Sequence, residues 1–143
     1  KFTSFAPGVI NLSGNELAQT LNGNNAANVL AGLAGSDTLF GGDGADTLKG
    51  GLGADVLWGE GGADLFAYSE KGRNVGNDQV MDFERGLDKI DLRALGLTSA
   101  NVTSGLSGGN MVLSIDADRN GRADYTVTLV GVTNFDSSDL LFI

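Results

Sequence analysis

A nine-residue period governs the first half of this sequence and limits what the chain can fold into. Each unit carries one polar residue at a fixed place: Asn28, Asp37, Asp46, Asp55 and Asp64. The second residue after each is large and apolar: Leu30, Leu39, Leu48, Leu57 and Phe66. Leu21 and Leu12 extend this apolar register backwards. Self-similarity at a fixed short period predicts stacked repeats.

The glycine content could also indicate a flexible linker or a phosphate-binding loop. Of the 23 glycines, 12 lie within residues 23–67. A linker has no reason to keep a carboxylate and an apolar residue in constant phase over five units. A phosphate-binding loop needs G-K-[ST] after a glycine run, and no such sequence occurs. Stacked repeats therefore remain the favoured interpretation.

The units G-G-D-G-A-D-T-L-K (41–49) and G-G-L-G-A-D-V-L-W (50–58) resemble the calcium-binding nonapeptide motif of the RTX (repeats-in-toxin) family. The resemblance implies an all-β fold, a parallel β-roll in which two sheets form a solenoid. The first six residues of a unit would form a turn and the last three a short strand. Two units would complete one coil, so that strands 18 residues apart pair in parallel with the middle residue pointing inward.

The same resemblance implies that each calcium ion lies between two stacked turns and takes one aspartate from each. The implied pairs are Asp37 with Asp55 and Asp46 with Asp64, with Asn28 and Asp46 as a weaker third site. The turn glycines complete the expected metal-binding set: Gly32, Gly35, Gly41, Gly42, Gly44, Gly50, Gly51, Gly53, Gly59, Gly61 and Gly62. We expect about three or more ions, and three would change the formal charge from −9 to −3.

The remaining composition supports a cation-binding module and argues against other classes. With 18 acidic and 9 basic residues, the chain is not expected to bind nucleic acid or to insert into a membrane. The absence of cysteine and histidine excludes thiolate or imidazole metal sites and the usual general base. Paired carboxylates can serve a glycosidase, but here calcium binding is the better use for them. We therefore expect that the chain is not an enzyme, although its parent protein can be one.

The repeats divide the chain into three predicted parts. Residues 1–22 are expected to cap the roll at its N-terminal end, 23–67 to form it, and 68–143 to form a β-rich C-terminal cap. Strand patterns in the last part are Met111–Ile115, Tyr125–Val130 and Leu140–Ile143. The stretch 76–92 resembles the segment that follows the repeats in serralysin-type proteases and other secreted RTX proteins.

Two acidic groups outside the repeats are further metal candidates. Asp78 and Asp82 can hold an ion at the junction of repeats and cap, or can be ordinary surface turn residues. In the segment 116–124, the residues Asp116, Asp118, Asn120 and Asp124 have the spacing of a loop ligand set. Asn120-Gly121 is also a hairpin signal, so a hairpin without metal is the alternative there.

The last nine residues, F-D-S-S-D-L-L-F-I, resemble the uncleaved C-terminal signal of type I secretion substrates. A last strand packed on the cap is the alternative, and both can hold. The resemblance therefore implies a secreted or cell-surface module, exported unfolded by the type I machinery of a Gram-negative bacterium. Calcium outside the cell would fold it and so assist a covalently linked upstream domain. Protease, lipase, epimerase, toxin and adhesin parents all remain open.

A glycan- or surface-binding accessory module is the alternative function, as in an alginate-modifying enzyme, an adhesin or a surface-layer protein. Phe40 and Trp58 are 18 residues apart at the outward ninth place, so they are expected to be neighbours on one sheet. Such a pair can stack on a sugar. Coverage of both rings by a cap is the competing interpretation.

Overall fold

The computed structural model describes residues 2–3, 8–71 and 75–142, and within them the fold is all-β. Its strands are β1 (Phe2–Thr3), β2 (Asn11–Ser13), β3 (Thr20–Asn22), β4 (Val29–Ala34), β5 (Thr38–Asp43), β6 (Thr47–Leu52), β7 (Val56–Gly61), β8 (Leu65–Ala67), β9 (Asn77–Val80), β10 (Lys89–Asp91), β11 (Val102–Ser107), β12 (Asn110–Ile115), β13 (Tyr125–Leu129) and β14 (Leu140–Leu141). Short 3₁₀ turns cover Arg93–Leu95, Ser99–Asn101 and Ser137–Asp139. No helix of this described part is long and apolar enough to cross a membrane.

Two largely parallel sheets form a roll, as the resemblance to the RTX family implied. One sheet has the order β1-β3-β5-β7-β9-β13-β12-β11, and the other has the order β14-β10-β8-β6-β4-β2. Within the repeats, each strand pairs in parallel with the strand one coil away, for example Leu39 with Leu57 and Leu30 with Leu48. Strands β2 and β3, within the predicted N-terminal cap, follow the same register.

The strands of the central units are longer than the sequence indicated. We expected three residues per strand, but β4 to β7 each contain six. The ladder continues past the apolar residue into the next unit, pairing Leu33 with Gly51 and Ala34 with Leu52. Glycine at these places lets neighbouring backbones approach closely enough to extend the hydrogen bonding.

A single apolar line runs along the inside of the roll. Its members are Leu21 and one residue from each of the five units, and all are completely buried: Leu21, Leu30, Leu39, Leu48, Leu57 and Phe66. Val80 and Ile90 continue it beyond the repeats. The residues on either side of each member are more exposed, because successive side chains of a strand point to opposite faces.

The C-terminal part adds to this core and closes one end of the roll. Strands β11, β12 and β13 form an antiparallel meander, and β13 joins the main sheet by pairing in parallel with β9. The predicted strands around 111–115, 125–130 and 140–143 correspond to β12, β13 and β14, although Ile143 lies outside the described residues. Phe135, Leu140 and Phe142 pack against the core, so the C-terminal segment is folded onto the cap.

Candidate calcium site

The repeat aspartates form a ladder along the stacked turns. Asp37, Asp46, Asp55 and Asp64 are at most 2% exposed. The Oδ1 atom of each accepts a hydrogen bond from the backbone N–H of the residue one coil earlier. The four donors are the N–H groups of Gln19, Asn28, Asp37 and Asp46, at 2.6–2.9 Å. The predicted pairs Asp37–Asp55, Asp46–Asp64 and Asn28–Asp46 are therefore brought together.

The second oxygen of each of these carboxylates is buried and has no hydrogen-bond partner among the described residues. Leaving a buried carboxylate oxygen unpaired is costly, since it has lost its water and gained nothing in return. Neither of the two salt bridges in the described part of the chain involves a repeat aspartate. These oxygens are therefore suited to a cation that is not part of the polypeptide.

The unpaired oxygens face a small space beside the first glycine of each unit. A Cβ atom on Gly41 would lie 2.5 Å from Asp46 Oδ2 and 2.7 Å from the carbonyl oxygen of Gly59, one coil later. Gly32 has the same surroundings, with Asp37 Oδ2 on one side and the Gly50 carbonyl oxygen 2.6 Å away on the other. Any side chain would fill this space. Calcium takes oxygen ligands at about 2.3–2.6 Å, so a carboxylate and a carbonyl facing one gap fit its chemistry.

The glycines at the second and fourth positions of the nine-residue units have a different role, which is to form the turn. Gly53 has φ of 125°, and a Cβ there would collide with the carbonyl oxygen of Gly35 in the preceding coil. The other predicted glycines with positive φ are Gly35, Gly42, Gly44, Gly51 and Gly62. The predicted glycines without positive φ are Gly32, Gly41, Gly50, Gly59 and Gly61. Leu33 and Glu60 stand at the second place of their units and also have positive φ, although they are not glycines.

Burial raises the pKa of the repeat carboxyls. The pKa rises to about 6 for Asp46 and Asp55 and to about 7 for Asp64, chiefly because their carboxylates are desolvated. Neighbouring acidic side chains add to the effect, for example Asp37 on Asp55 and Asp88 on Asp64. Without a bound cation at neutral pH, the ionised repeat carboxylates therefore destabilise the folded roll.

The Asn28 position differs from the aspartates. Its Oδ1 atom accepts a hydrogen bond from the Asn24 N–H at 2.7 Å, and its Nδ2 donates to Asn24 Oδ1 at 2.9 Å. Gln19 takes the corresponding place one repeat unit further back, where its side-chain oxygen and the Gly32 carbonyl face Gly14. The side chains of Gln19 and Asn28 are neutral amides, and the oxygen of each already accepts a hydrogen bond from a backbone N–H four residues earlier. Both features are consistent with weaker metal binding at that end.

The stack continues beyond the repeats through residues that lie outside the period. Asp78 Oδ1 accepts the Asp55 N–H, and Asp88 Oδ1 accepts the Asp64 N–H, both at 2.9 Å. Asp82 accepts the N–H groups of Gly59 and Glu60 through its two oxygens. Asp78 and Asp82 thus lie at the junction, as expected, while the sequence analysis missed Asp88.

A recognisable signal for these residues exists in the sequence. V-G-N-D-Q-V (75–80) and R-G-L-D-K-I (85–90) both have the pattern x-G-x-D-x-apolar, which corresponds to the third to eighth positions of a nonapeptide unit. The aspartates are displaced by 23 and 24 residues from their partners instead of 18. A search at a fixed period therefore misses them.

The 116–124 loop connects β12 and β13. Carboxylate oxygens of Asp116, Asp118 and Asp124 lie within 4.8 Å of one another. These oxygens accept hydrogen bonds from within the loop, including those from the N–H groups of Asn120 and Gly121 to Asp116. The Asn120 side-chain oxygen accepts the Arg122 N–H. The predicted residues are thus gathered, but in contrast to the repeats, the loop satisfies its own carboxylates.

Phe40 and Trp58 are neighbours on the outer face, as their spacing predicted. Their ring centroids are 6.1 Å apart, with an angle of 17° between the planes. Both side chains are only partly buried. A shallow groove of about 350 Å³ lies beside Phe40 and is also lined by Thr20, Asn22, Gly23 and Glu60. This face therefore offers an aromatic platform next to polar groups.

Comparison with known proteins agrees with this geometry. The family model described as the RTX calcium-binding nonapeptide repeat matches residues 13–48 and 40–69. The R3 subunit of the Azotobacter vinelandii mannuronan C5-epimerase AlgE6 has a similar structure, with a TM-score of 0.72 and 28% identity over 90% of this chain and 80% of that one. The R2 subunit of the same enzyme gives 0.72 and 27% over 94% and 92%.

No curated protein matches the chain. The family match covers the stacked turns that carry the unpaired aspartate oxygens, and the similarity to the solved structures extends over the cap as well. The stacked turns of this chain, in the segment 13–69, are therefore similar to RTX calcium-binding nonapeptide repeats.

Proposed function

We propose that this chain is a non-catalytic module that folds when calcium ions occupy the spaces between its stacked turns. The ions are bound by Asp37, Asp46, Asp55 and Asp64, with carbonyl oxygens of the turn glycines, and more weakly at Asn28. Outside the cell, this folding supports a larger parent protein to which the module is linked. The buried and unpaired second oxygen of each repeat aspartate carries the proposal, and for Asp37 and Asp46 a carbonyl oxygen of the next coil faces the same space.

Charge explains why folding and binding are coupled. Several carboxylates lie buried along the two turn edges of the roll, and burial raises their pKa. Ordering the chain also costs about 1–2 kcal/mol of backbone entropy per residue. A divalent cation that binds only the folded form removes the charge penalty and shifts the equilibrium by mass action.

Circular dichroism in the far ultraviolet tests this proposal. In excess chelator the chain is expected to give a disordered spectrum, and millimolar calcium is expected to produce a β spectrum. Magnesium at the same concentration is the matched control. It should not restore the fold, because it demands a smaller and more nearly octahedral shell. An unchanged β spectrum in excess chelator would refute the proposal.

Type I export follows from the same switch. Extracellular calcium modules have dissociation constants of about 10⁻⁴–10⁻³ M, so a chain of this kind remains unfolded in a calcium-poor cytosol and can thread an export channel. Folding then begins outside. The chain should reach the medium of a Gram-negative host only when a matching type I exporter is co-expressed. Retention in the cells in both cases would oppose this part of the proposal.

Glycan binding is a second candidate, supported by the stacked Phe40 and Trp58 rings and the groove beside Phe40. The similar structures belong to an epimerase that acts on mannuronan, so uronate oligomers are the first ligands to test. Since Trp58 is the sole tryptophan, its fluorescence in the calcium-loaded chain should shift when a bound sugar covers the rings. If neither uronate nor neutral oligomers shift the fluorescence, Phe40 and Trp58 only pack against each other and do not bind a glycan.

A further inference from the structure

Strand β11 (Val102–Ser107) forms an outer edge of the cap, and no described residue pairs with its free side. It is the last strand of its sheet and pairs only with β12. Five of its six residues are exposed. The other strands at sheet edges, β1, β2 and β14, have two or three residues each. Since an edge strand presents a row of unpaired N–H and C=O groups, β11 offers the longest such row in the described part of the chain.

The features that usually protect an edge strand are absent from β11. Natural proteins place lysine, proline or a bulge on exposed edges, or keep these strands short. The sequence of β11, V-T-S-G-L-S, has neither charge nor proline, and its register with β12 is continuous. No charged residue occurs between Arg93 and Asp116, although charged residues make up 19% of the chain. A chain with a formal charge of −9 therefore has, at β11, an edge where two copies can meet without like charges opposite each other.

The hairpin register shows which backbone groups of β11 are free. The Asp116 N–H donates to the carbonyl of Asn101 at 2.9 Å, and these two residues are directly opposite in the register of β11 and β12. Opposite residues in an antiparallel ladder alternate between hydrogen-bonded and non-hydrogen-bonded pairs. Val102, Ser104 and Leu106 therefore belong to the non-hydrogen-bonded pairs, so their N–H and C=O groups point away from β12 to the free side.

The side chains of these three residues lie on the core side of the sheet. Their partners on β12 are all buried: Ile115 opposite Val102, Leu113 opposite Ser104, and Met111 opposite Leu106. Val102 itself packs partly against the core, whereas Leu106 is 62% exposed. The core side of the cap thus extends beyond its last buried row and ends in apolar surface that a further strand would cover.

We propose that β11 pairs with β11 of a second copy of the chain, in antiparallel orientation about a two-fold axis at Ser104. Ser104 then lies opposite Ser104 of the second copy, and Val102 of each copy lies opposite Leu106 of the other. In this register every free N–H of the three residues meets a free carbonyl, whereas a shift of two residues leaves one residue of each strand unpaired. The apolar cross-strand pairs on the core side add stability.

Self-complementarity is the reason for choosing a second copy as the partner. The free backbone groups and the order apolar, serine, apolar are the same from either end of β11, which is what an isologous two-fold interface requires. An interface of one strand from each copy is small, and interfaces below about 1,200 Å² are generally weak. The dimer is therefore expected to be reversible and to form as the concentration rises. It would join the two caps into one continuous sheet, with the rolls at its far ends.

An introduced cysteine at the two-fold axis tests the register directly, because the chain has no cysteine of its own. Hydrogen-bonded opposite residues have Cα atoms about 5.5 Å apart, and a disulfide spans about 4.4–6.8 Å. Mild oxidation of Ser104→Cys in millimolar calcium should therefore give a covalent dimer in high yield.

Ser107→Cys is the matched control, since Ser107 is an exposed serine of the same strand. In the dimer the two cysteines of this variant would lie about 20 Å apart, from six residues at about 3.4 Å each, so it should stay largely monomeric. Equal yields from the two variants, or no covalent dimer from Ser104→Cys, would overturn the proposal.

Sedimentation equilibrium measures the same association without cysteine. The apparent mass of the unaltered chain should rise from 14.6 kDa towards twice that value as the concentration increases. Leu106→Lys removes both apolar cross-strand pairs by symmetry and places a charge at the edge, so the dissociation constant should rise about tenfold or more. The control Leu17→Lys changes a side chain that is 69% exposed and lies between β2 and β3, far along the chain from the cap, and should leave the constant unchanged. A chain that stays monomeric at every concentration, or a Leu106→Lys variant that dimerises as well as the unaltered chain, would refute the dimer.

This inference does not rest on calcium binding by the turns. Strand β11 lies outside the matched repeats, which end at residue 69. If the chain folds equally well in excess chelator, the proposed function fails, while cross-linking and sedimentation still report on β11. If the chain folds with calcium and Ser104→Cys does not cross-link, only the dimer is refuted.

Discussion

Removing one repeat carboxylate should weaken calcium-driven folding in a way that the ladder makes measurable. Asp55 has two roles in the structure. Its Oδ1 accepts the buried Asp37 N–H at 2.8 Å, and its Oδ2 is unpaired at the proposed metal site. Asp55→Ala removes both roles, whereas Asp55→Asn retains an oxygen for the N–H and removes the charge. Asp46→Ala is the equivalent change on the other edge of the roll.

The expected magnitude follows from these contacts. An N–H left buried without an acceptor costs about 1–3 kcal/mol, and the lost ligand weakens binding further. Relief of repulsion with Asp37 and Glu70, which both raise the pKa of Asp55, offsets part of this cost. A net loss of about 1 kcal/mol or more raises the calcium midpoint about fivefold or more, since about 1.4 kcal/mol is tenfold.

Asp116→Ala is the matched control for removal of an acidic side chain. It also breaks hydrogen bonds, from the Asn120 and Gly121 N–H groups, but these groups are exposed and water can replace the acceptor. We expect a much smaller change in the midpoint. Asp46→Ala and Asp55→Ala should also make the titration less steep, because neighbouring ions share turns.

Calcium titrations followed by circular dichroism compare these variants directly. Asp55→Asn is the sharpest of them, because it keeps the hydrogen-bond acceptor and loses only the charged ligand. A midpoint for Asp55→Asn equal to that of the unaltered chain would show that the carboxylate is not a ligand. Greater damage from Asp116→Ala than from Asp46→Ala would refute the stacking register.

Three further predictions concern pH, the glycine space and the core. Because the folded pKa of Asp46, Asp55 and Asp64 is raised to about 6–7 from 3.8, the metal-free folded state binds more protons than the unfolded state, and its stability falls as pH rises from about 4 to 7. Calcium-free chain studied by circular dichroism should therefore be more folded at pH 5 than at pH 8, and the opposite trend would contradict the assigned burial. Gly41→Ala fills the space between Asp46 Oδ2 and the Gly59 carbonyl, so calorimetry should show fewer bound ions than in the control Gly105→Ala, where a Cβ meets nothing within 4 Å. Leu48→Ala opens a cavity at a fully buried position and should lower the free energy of unfolding in calcium by about 2–5 kcal/mol, measured by urea denaturation against Leu106→Ala, which is 62% exposed.

The sequence predicted the roll well because one residue pattern encodes both of its requirements. The constant phase between aspartate and apolar residue, as in Asp46 and Leu48, specifies the buried line and the ladder together. The register of 18 residues was implied by the resemblance to the RTX family, and the structure confirms it.

The junction and the cap were harder to predict, for identifiable reasons. The longer connections before Asp78 and Asp88 break the period, even though both residues keep the local x-G-x-D pattern. Strand β11 lacks a buried face, so it has no alternation of apolar and polar residues to detect. Asp55 Oδ1 accepts a hydrogen bond from the preceding coil, whereas Oδ2 is left unpaired. This difference depends on contacts between coils, which a local sequence pattern does not indicate.

The overall size of the chain with and without calcium is the most direct test of calcium-coupled folding. For 143 residues, a compact fold has a radius of gyration of about 15 Å, and an unfolded chain of the same length has about 39 Å. Small-angle X-ray scattering should give a radius of gyration of about 15 Å in millimolar calcium. The radius of gyration should rise to about 39 Å after addition of excess chelator. A compact radius in both solutions would contradict the account.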